Sequence, residues 1–273
     1  MLLGGRGFIA GHIKTLYPDA LIPTVDIADR DTVISLLDTE TPDVIINAAG
    51  KTGSPNVDWC ESHRAETLHS NVLGPLVLLE ECLKRNVYMV HIGSGCIYQG
   101  DNDGRGYSED DPPNFYGSYY SRSKAWSDQM LKDYPVLQLR IRMPFHSTNE
   151  PRNLIMKLKG YPRVLDCQNS VTYIPDFLHA LETLLNLRAT GIYNVVNPGT
   201  ISPYEIMMLY REIVDPQHTC VRLTLDDLSS VVKAGRSNCI LSTDKIHAEG
   251  VKMQPVKEAV TAALIGMKER ARL

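Results

Sequence analysis

The chain has 273 residues, a formal net charge of −4 and 43% hydrophobic residues, enough apolar material for one large α/β domain or two lobes sharing an interface. With a pI near 6.1 it offers no general attraction to nucleic acid or to an anionic membrane, while a local basic pocket for a phosphate stays open. The cysteines Cys60, Cys82, Cys96, Cys167, Cys220 and Cys239 show no CxxC spacing or paired framework, and neither a signal peptide nor a long apolar span is read, so a cytoplasmic protein with free thiols and no metal is expected.

In chain order, Met1-Leu2-Leu3 is a stub of a strand, short against the about five residues usual for a central one. Apolar spacing predicts a helix over Phe8 to Leu16, a strand at ALIPTV, a helix over Thr32 to Leu37 and a buried strand in DVIINAAG. The alternation continues with a helix from about Arg64 to Lys84 and a strand from Val87 to Ile92 ended by Gly93 and Gly95. A helix carrying Tyr120 to Leu131 and the strand VLQLRIRM follow. This rhythm implies an α/β fold, a Rossmann-like doubly wound parallel sheet with right-handed crossovers. From about His146 the elements shorten among Pro144, Pro151, Pro162, Pro175, Pro198, Pro203 and Pro216. Residues 1–145 therefore read as the sheet domain, and 146–273 as mainly a smaller lobe interleaved with the last sheet strands, for instance GIYNVV.

The turn LLGGRGFIAG places Gly4 and Gly7 between the first strand and the first helix, with Ala10 at the third position of a GxxGxx[GA] pattern. Glycine there lets a pyrophosphate approach the free N–H groups of the helix N-terminus, which Phe8 and Ile9 open. Arg6, inside the turn, can pair with a phosphate on the adenosine ribose. No acid stands at the end of ALIPT to hold a free 2′-hydroxyl, so NADP(H) is favoured over NAD. Asp26 and Ile27 fall where an adenine edge would be met, and Asp26 could equally cap the next helix.

Tyr120 and Lys124 in YYSRSK share one helix face at i, i+4. Reducing a ketone needs a proton donor at the carbonyl oxygen, and a nearby ammonium can bring a phenol down from about 10 toward neutrality. Ser94 closes the strand before that helix, and Cys96 stands two residues on, at the strand exit where open sheets keep their ligands. Such a thiol also suits plain packing.

The order of glycine turn, NAAG, Ser94, Tyr120 and Lys124 resembles the extended short-chain dehydrogenase/reductase family over essentially the whole chain. The resemblance implies that Ser94 bonds the substrate oxygen, Tyr120 is the acid, and Lys124 also grips the nicotinamide ribose. Tyr116 and Tyr119 are rivals without a lysine four residues on. Asn47, Ala48 and Ala49 would line the adenosine side, and Asn71 would sit on the helix supporting the site. The first domain would then bind NADP and the second lobe the substrate.

Within that family, NVDWCESH, GSGCIY, PNFYGSYYSRSK, RIRMP, PRNLIMKL, GIYNVVNPG and RSNCIL resemble the nucleotide-rhamnose synthase branch of 3,5-epimerase/4-reductases, known from plants and some viruses. A 4-keto group acidifies the hydrogens on C3 and C5, so each centre can invert through an enolate if two groups exchange protons on opposite ring faces. A thiolate near a cation suits Cys96 as one; the resemblance supplies Lys157 as the other, with Lys159 its neighbour. Arg152, Asn153 and Arg236 are candidates for the nucleotide. The expected substrate is UDP- or dTDP-4-keto-6-deoxy-D-glucose, with no nucleic-acid or membrane partner and a homodimer left open. Two alternatives stand beside this: a dTDP-4-dehydrorhamnose reductase without epimerase activity, and an NADP-binding regulatory subunit of the kind that serves methionine adenosyltransferase.

Overall fold

The computed structural model describes residues 1–228 and 232–271. Along the chain run β1 (Leu2–Leu3), α1 (Phe8–Leu16), α2 (Arg30–Glu40), β2 (Val44–Asn47), α3 (Trp59–Ser62), α4 (Arg64–Leu68), a π-helical turn (His69–Leu73), α5 (Gly74–Arg85), β3 (Tyr88–Ser94), α6 (Tyr119–Leu131) and β4 (Val136–Ile141). The second half adds α7 (Leu154–Lys159), β5 (Arg163–Leu165), α8 (Ile174–Asn186), β6 (Gly191–Asn194), α9 (Pro203–Ile213), β7 (Val221–Leu223), α10 (Leu225–Leu228), α11 (Asp244–Ala248) and α12 (Val256–Arg270).

Five parallel strands form the main sheet in the order β1-β2-β3-β4-β6, with Ile46 beside Val90, Val90 beside Leu137 and Leu139 beside Tyr193. VIIN is a near-continuous apolar run because helices cover both faces, and in VLQLRI the polar Gln138 and Arg140 are buried along with the leucines. On one face Ile13 of α1 and Phe177 and Leu181 of α8 pack on Ile46, Val90 and Leu139. On the other, Leu37 of α2 and Leu78 of α5 pack on Ile45, Met89 and Val136. Late segments, α8 and β6, thus complete the sheet layer. A second core joins α7, α9 and α12 through Ile155, Ile206, Met207, Ala263 and Leu264, beside the two-stranded sheet β5–β7.

The structure corrects three expectations. ALIPTV is not a strand: Pro23 has no N–H to donate, and the segment keeps one backbone bond to β1, Leu2 N–H to Leu21 O at 2.8 Å. The helix expected at Thr32 to Leu37 runs over Arg30–Glu40, and its N-cap is Asp29, whose side chain accepts from Thr32 N–H; Asp26 does not cap it. The single helix expected from Arg64 to Lys84 is interrupted by the π-turn, a form frequent at functional sites. Here it places Asn71, whose side chain holds Lys51 (Lys51 N–H to Oδ1, 2.7 Å; Nδ2 to Lys51 O, 3.0 Å) and reaches Ser123 Oγ on α6 at 3.0 Å.

β4 also anchors α6. Arg140, fully buried, donates through Nε and Nη2 to the two oxygens of Asp128, each at 2.8 Å. A bidentate pair of this kind satisfies both charges with fixed geometry, and it sets the helix bearing Tyr120 and Lys124 against the strand leading to Arg142.

Candidate active site

Gly4 has φ +79, and a Cβ there would lie 2.5 Å from Ala49 N and 2.7 Å from the Ala48 carbonyl carbon. The turn is therefore pressed onto NAAG in a backbone region that only glycine visits freely. Gly7 is the N-cap of α1 and brings no side chain to its first N–H groups, which stay available to an anion. Two adjoining cavities of about 550 and 570 Å³ share Arg6, Gly7, Ala48, Gly50 and Lys51; the first adds Phe8, Ile9, Lys157 and Arg152, the second Gly4, Ala49 and Lys14. Arg6 is exposed and has no ion pair or hydrogen bond among the described residues. Lys14 and Lys51 add positive charge that the turn motif alone does not announce.

Three residues expected at the cofactor, Asp26, Ile27 and Asn47, are not among the walls of these two cavities. Ile27 is 4% exposed and packs beneath α5, where a Cβ on Gly74 would come within 2.5 Å of it. Asp26 accepts from Ala28 N–H at 3.0 Å and meets His69 Nε2 at 2.8 Å. Asn47 is fully buried and works under the groove: Oδ1 accepts from Ala49 N–H at 3.0 Å, and Nδ2 donates to His91 Nδ1 at 3.2 Å.

Ser94, Tyr120 and Lys124 come together between the end of β3 and α6, which is capped by Ser118, whose side chain accepts from Ser121 N–H. The Tyr120 phenol meets the Ser94 hydroxyl. Burial pushes the Tyr120 pKa well up and negative charge at Cys96 pushes the same way, against the Ser94 bond and the Arg142 charge. The lowering expected from Lys124 is not found. The Lys124 ammonium is itself buried, which brings it down to about 8 despite Asp128, and its Nζ donates to Ile92 O at 3.1 Å and meets His91 Nε2 at 3.3 Å. His91 is held well below the usual imidazole value by burial, then by Lys124. Its neutral ring stands between Asn47 Nδ2 at Nδ1 and Lys124 Nζ at Nε2. Buried Asn47, His91 and Lys124 thus form one chain, and His91 carried no signal in the sequence beyond a polar residue inside an apolar strand.

The rival tyrosines separate cleanly. Tyr116 is 54% exposed and donates to Pro113 O at 2.9 Å. Tyr119 lies under Arg64 and Arg122 and edge-on to Trp126.

Cys96 is half-buried, and its N–H donates to Ser94 Oγ at 3.1 Å. The cation beside it is Arg142, 1% exposed, whose Nη1 donates to Cys96 Sγ at 3.3 Å and to Ser237 Oγ at 2.9 Å. Nη2 donates to Ser237 O at 2.6 Å and to Asn169 Oδ1. The sequence offered one clue to it, a second arginine on the same face of VLQLRIRM as Arg140.

Lys157 lines the 550 Å³ cavity with Trp59 and Pro144, and burial, then Arg152, lowers its pKa. Lys159 points away, exposed over the Tyr210 ring. Arg152 reaches across to Thr52 Oγ1 and Gly53 O, both at 2.8 Å. Asn153 is fully buried and committed: its Nδ2 donates to His146 O and Thr148 O at 2.7 Å, and its Oδ1 accepts from Ile155 N–H. It shapes the start of α7 and has no free group for a nucleotide. Arg236 pairs with Asp58 at 2.8 Å and lines a separate cavity of about 350 Å³ with Asn56, Leu158 and Tyr161. Ser94, Cys96 and Tyr120 are not among the walls of the Lys157 cavity.

Residues 10–145 match the NAD dependent epimerase/dehydratase family. A bifunctional dTDP-4-dehydrorhamnose 3,5-epimerase/dTDP-4-dehydrorhamnose reductase of Arabidopsis thaliana is 39% identical, over 85% of this chain and 79% of that protein. A trifunctional UDP-glucose 4,6-dehydratase/UDP-4-keto-6-deoxy-D-glucose 3,5-epimerase/UDP-4-keto-L-rhamnose reductase of the same plant is 36% identical over 89% of this chain; the chain spans 37% of its length. The crystal structure of a UDP-rhamnose synthase from Acanthamoeba polyphaga mimivirus superposes with a TM-score of 0.92 at 29% identity, covering 97% of this chain and 98% of the viral one. By these matches the chain belongs to the extended short-chain dehydrogenase/reductase family, in the branch of bifunctional 3,5-epimerase/4-reductases.

Proposed function

We propose that this protein is a bifunctional 3,5-epimerase/4-reductase that converts UDP- or dTDP-4-keto-6-deoxy-D-glucose to the corresponding L-rhamnose nucleotide with NADPH. The observation that carries the reading is the hydrogen bond between Cys96 N–H and Ser94 Oγ: a thiol stands beside the group expected to hold the substrate carbonyl, where C–H bonds next to that carbonyl must lie.

The groove over Gly4 and Gly7 fits a dinucleotide, since the close Gly4–Ala49 approach leaves no room for a side chain and the α1 N-terminus is uncapped. Arg6, Gly7, Ala48 and Ala49 would hold the adenosine side, with Lys14 and Lys51 adding charge; NADPH supplies a hydride to C4. Arg236 and the cavity beside it suit the pyrimidine nucleotide, and Arg152 its diphosphate. Residues 1–145 would hold the cofactor and much of 146–273 the sugar nucleotide, in the cytosol, where the six cysteines remain thiols.

With the ketone seated, Ser94 and Tyr120 hydrogen-bond its C4 oxygen, which stabilises enolate charge there. Cys96 as thiolate removes a proton from one ring face, and the negative charge passes from sulfur to that oxygen. Lys157 returns a proton on the opposite face; its lowered pKa suits a group that both gives and takes one. Between the two inversions Cys96 gives its proton to solvent and Lys157 takes one up, so both return to their starting states; after both centres invert, Tyr120 donates its proton to the C4 oxygen as C4 is reduced. Burial keeps the phenol protonated and ready for that step, and Lys124 with His91 stands behind it.

The test is incubation with NADPH and each ketone, with the product identified by NMR. An L-rhamnose nucleotide formed without a second enzyme supports the reading. NADPH oxidation only after a separate epimerase is added, or none with either ketone, contradicts it.

A further inference from the structure

We infer that Arg142 is the residue that positions and charges Cys96 for proton abstraction, a role that rests on the epimerase reading above. The guanidinium is built into the protein for this contact. It sits at the end of β4 with 1% exposure, and Ser237 and Asn169 fix both terminal nitrogens while Nη1 also points at Cys96 Sγ, 3.3 Å away. Among the described residues its buried Nε has no partner. A buried cation normally sits against a carboxylate, as Arg140 does on Asp128, yet the partners of Arg142 are neutral oxygens and one sulfur. The group in this shell that can become an anion and receive its hydrogen bond is the thiol. Charge-assisted hydrogen bonds are strong in such surroundings, so ionised Cys96 completes the pairing that the cage leaves open. Among the described residues, the titratable groups whose charge couples to Cys96 are Tyr120 from α6 and Cys239 from the segment after Ser237, and negative charge on either opposes ionisation; Arg142 is the cation beside the sulfur that counters it, and its charge also reaches the Cys167 and Cys239 thiols.

When Cys96 removes a ring proton, the S–H bond forms as the C–H bond breaks, and the negative charge leaves the sulfur for the C4 oxygen held by Ser94 and Tyr120. The Arg142 charge also reaches Tyr120, so it serves the thiolate before the transfer and the oxyanion site after it. Arg142 is thus a positioning residue, acting through Cys96.

The test is the pH dependence of Cys96 alkylation by iodoacetamide, followed by peptide mass spectrometry on the intact protein, with solvent deuterium exchange at C3 and C5 measured alongside. Arg142→Gln should move the alkylation midpoint up by at least one pH unit and slow exchange at least tenfold more than it slows reduction; Arg142→Lys should recover most of the midpoint. Ser237→Asp, at a half-buried position, sets a carboxylate on the guanidinium and should raise the midpoint with Arg142 in place, which keeps the test open should Arg142→Gln not fold. An unmoved midpoint in either folded variant overturns the role of Arg142. A moved midpoint in a protein whose wild type exchanges no deuterium upholds the Arg142–Cys96 pairing while the epimerase reading fails.

Discussion

The backbone N–H of Cys96 donates to the side-chain oxygen of Ser94 at 3.1 Å, so the thiol and the Ser94 hydroxyl are held in one turn at the exit of β3. In the proposed reaction, inversion at C3 and C5 and reduction at C4 would draw on this one unit, sharing the substrate's position and differing in the proton each needs.

Tyr120→Phe removes the proposed proton donor and leaves the ring. Reduction of an already epimerised ketone should fall about 10²- to 10⁴-fold, the range for a positioned general acid, with NADPH binding retained in fluorescence titration. Tyr116→Phe and Tyr119→Phe should stay near wild type. A near-normal rate for Tyr120→Phe would move the acid to another residue.

Arg6→Ala should weaken NADPH and leave NADH nearly unchanged. A hydrogen bond to a charged group is worth about 1.5–3 kcal/mol, roughly a 10- to 150-fold rise in the NADPH dissociation constant. Calorimetry with both cofactors decides: equal loss for each would mean that Arg6 supports the turn and reads no phosphate.

The sheet was legible because strands buried on both faces are written as apolar runs, and Tyr120 and Lys124 because a helix turns i, i+4 spacing into a shared face. ALIPTV misled because its apolar content resembles a strand while Pro23 and a lack of partners leave a single ladder bond. Asn153 suggested a ligand contact, but its amide is consumed at the start of α7. Arg142 and His91 were illegible for a different reason. Their roles depend on contacts that only folding creates: Ser237 lies 95 residues from Arg142, and Lys124 lies 33 from His91.

Asp128→Asn breaks the charge pairing that fixes α6 on β4. Removing one partner of a buried pair costs about 3–5 kcal/mol because the other charge stays buried, and Arg140 is fully buried. Urea unfolding at neutral pH should show a loss of that size. A change under about 1 kcal/mol would show that Arg140 finds compensation elsewhere.

Acid stability should depend on His146. Its ring lies 4.5 Å from that of His12, bridging α1 and the segment before α7, and Glu150 is the nearby acid. Burial first, then the charges of His12 and Arg270, lowers His146 from 6.5 to about 4; His12 is lowered too, by burial against Glu150. The unfolded chain thus binds this proton first as the pH falls from 6.5 toward 4, so stability is whole above that window and lost through it. His146→Asn should shrink the drop in urea midpoint between about pH 7 and about pH 5 relative to wild type. An unchanged drop would assign the acid sensitivity to other groups.

The central claim is that Cys96 moves protons on the sugar ring, and the most direct measurement is solvent exchange in heavy water. Wild type and Cys96→Ser are each incubated with NADPH and the 4-keto-6-deoxyglucose nucleotide, and deuterium at C3 and C5 is read by NMR. Wild type should incorporate deuterium at both centres and give the L-rhamnose nucleotide. Cys96→Ser, nearly isosteric but a poor base, should form none of that product while still reducing a ketone supplied already epimerised. Normal formation of the L-rhamnose nucleotide by Cys96→Ser would make the thiol a packing residue and leave the protein a reductase that depends on a separate epimerase.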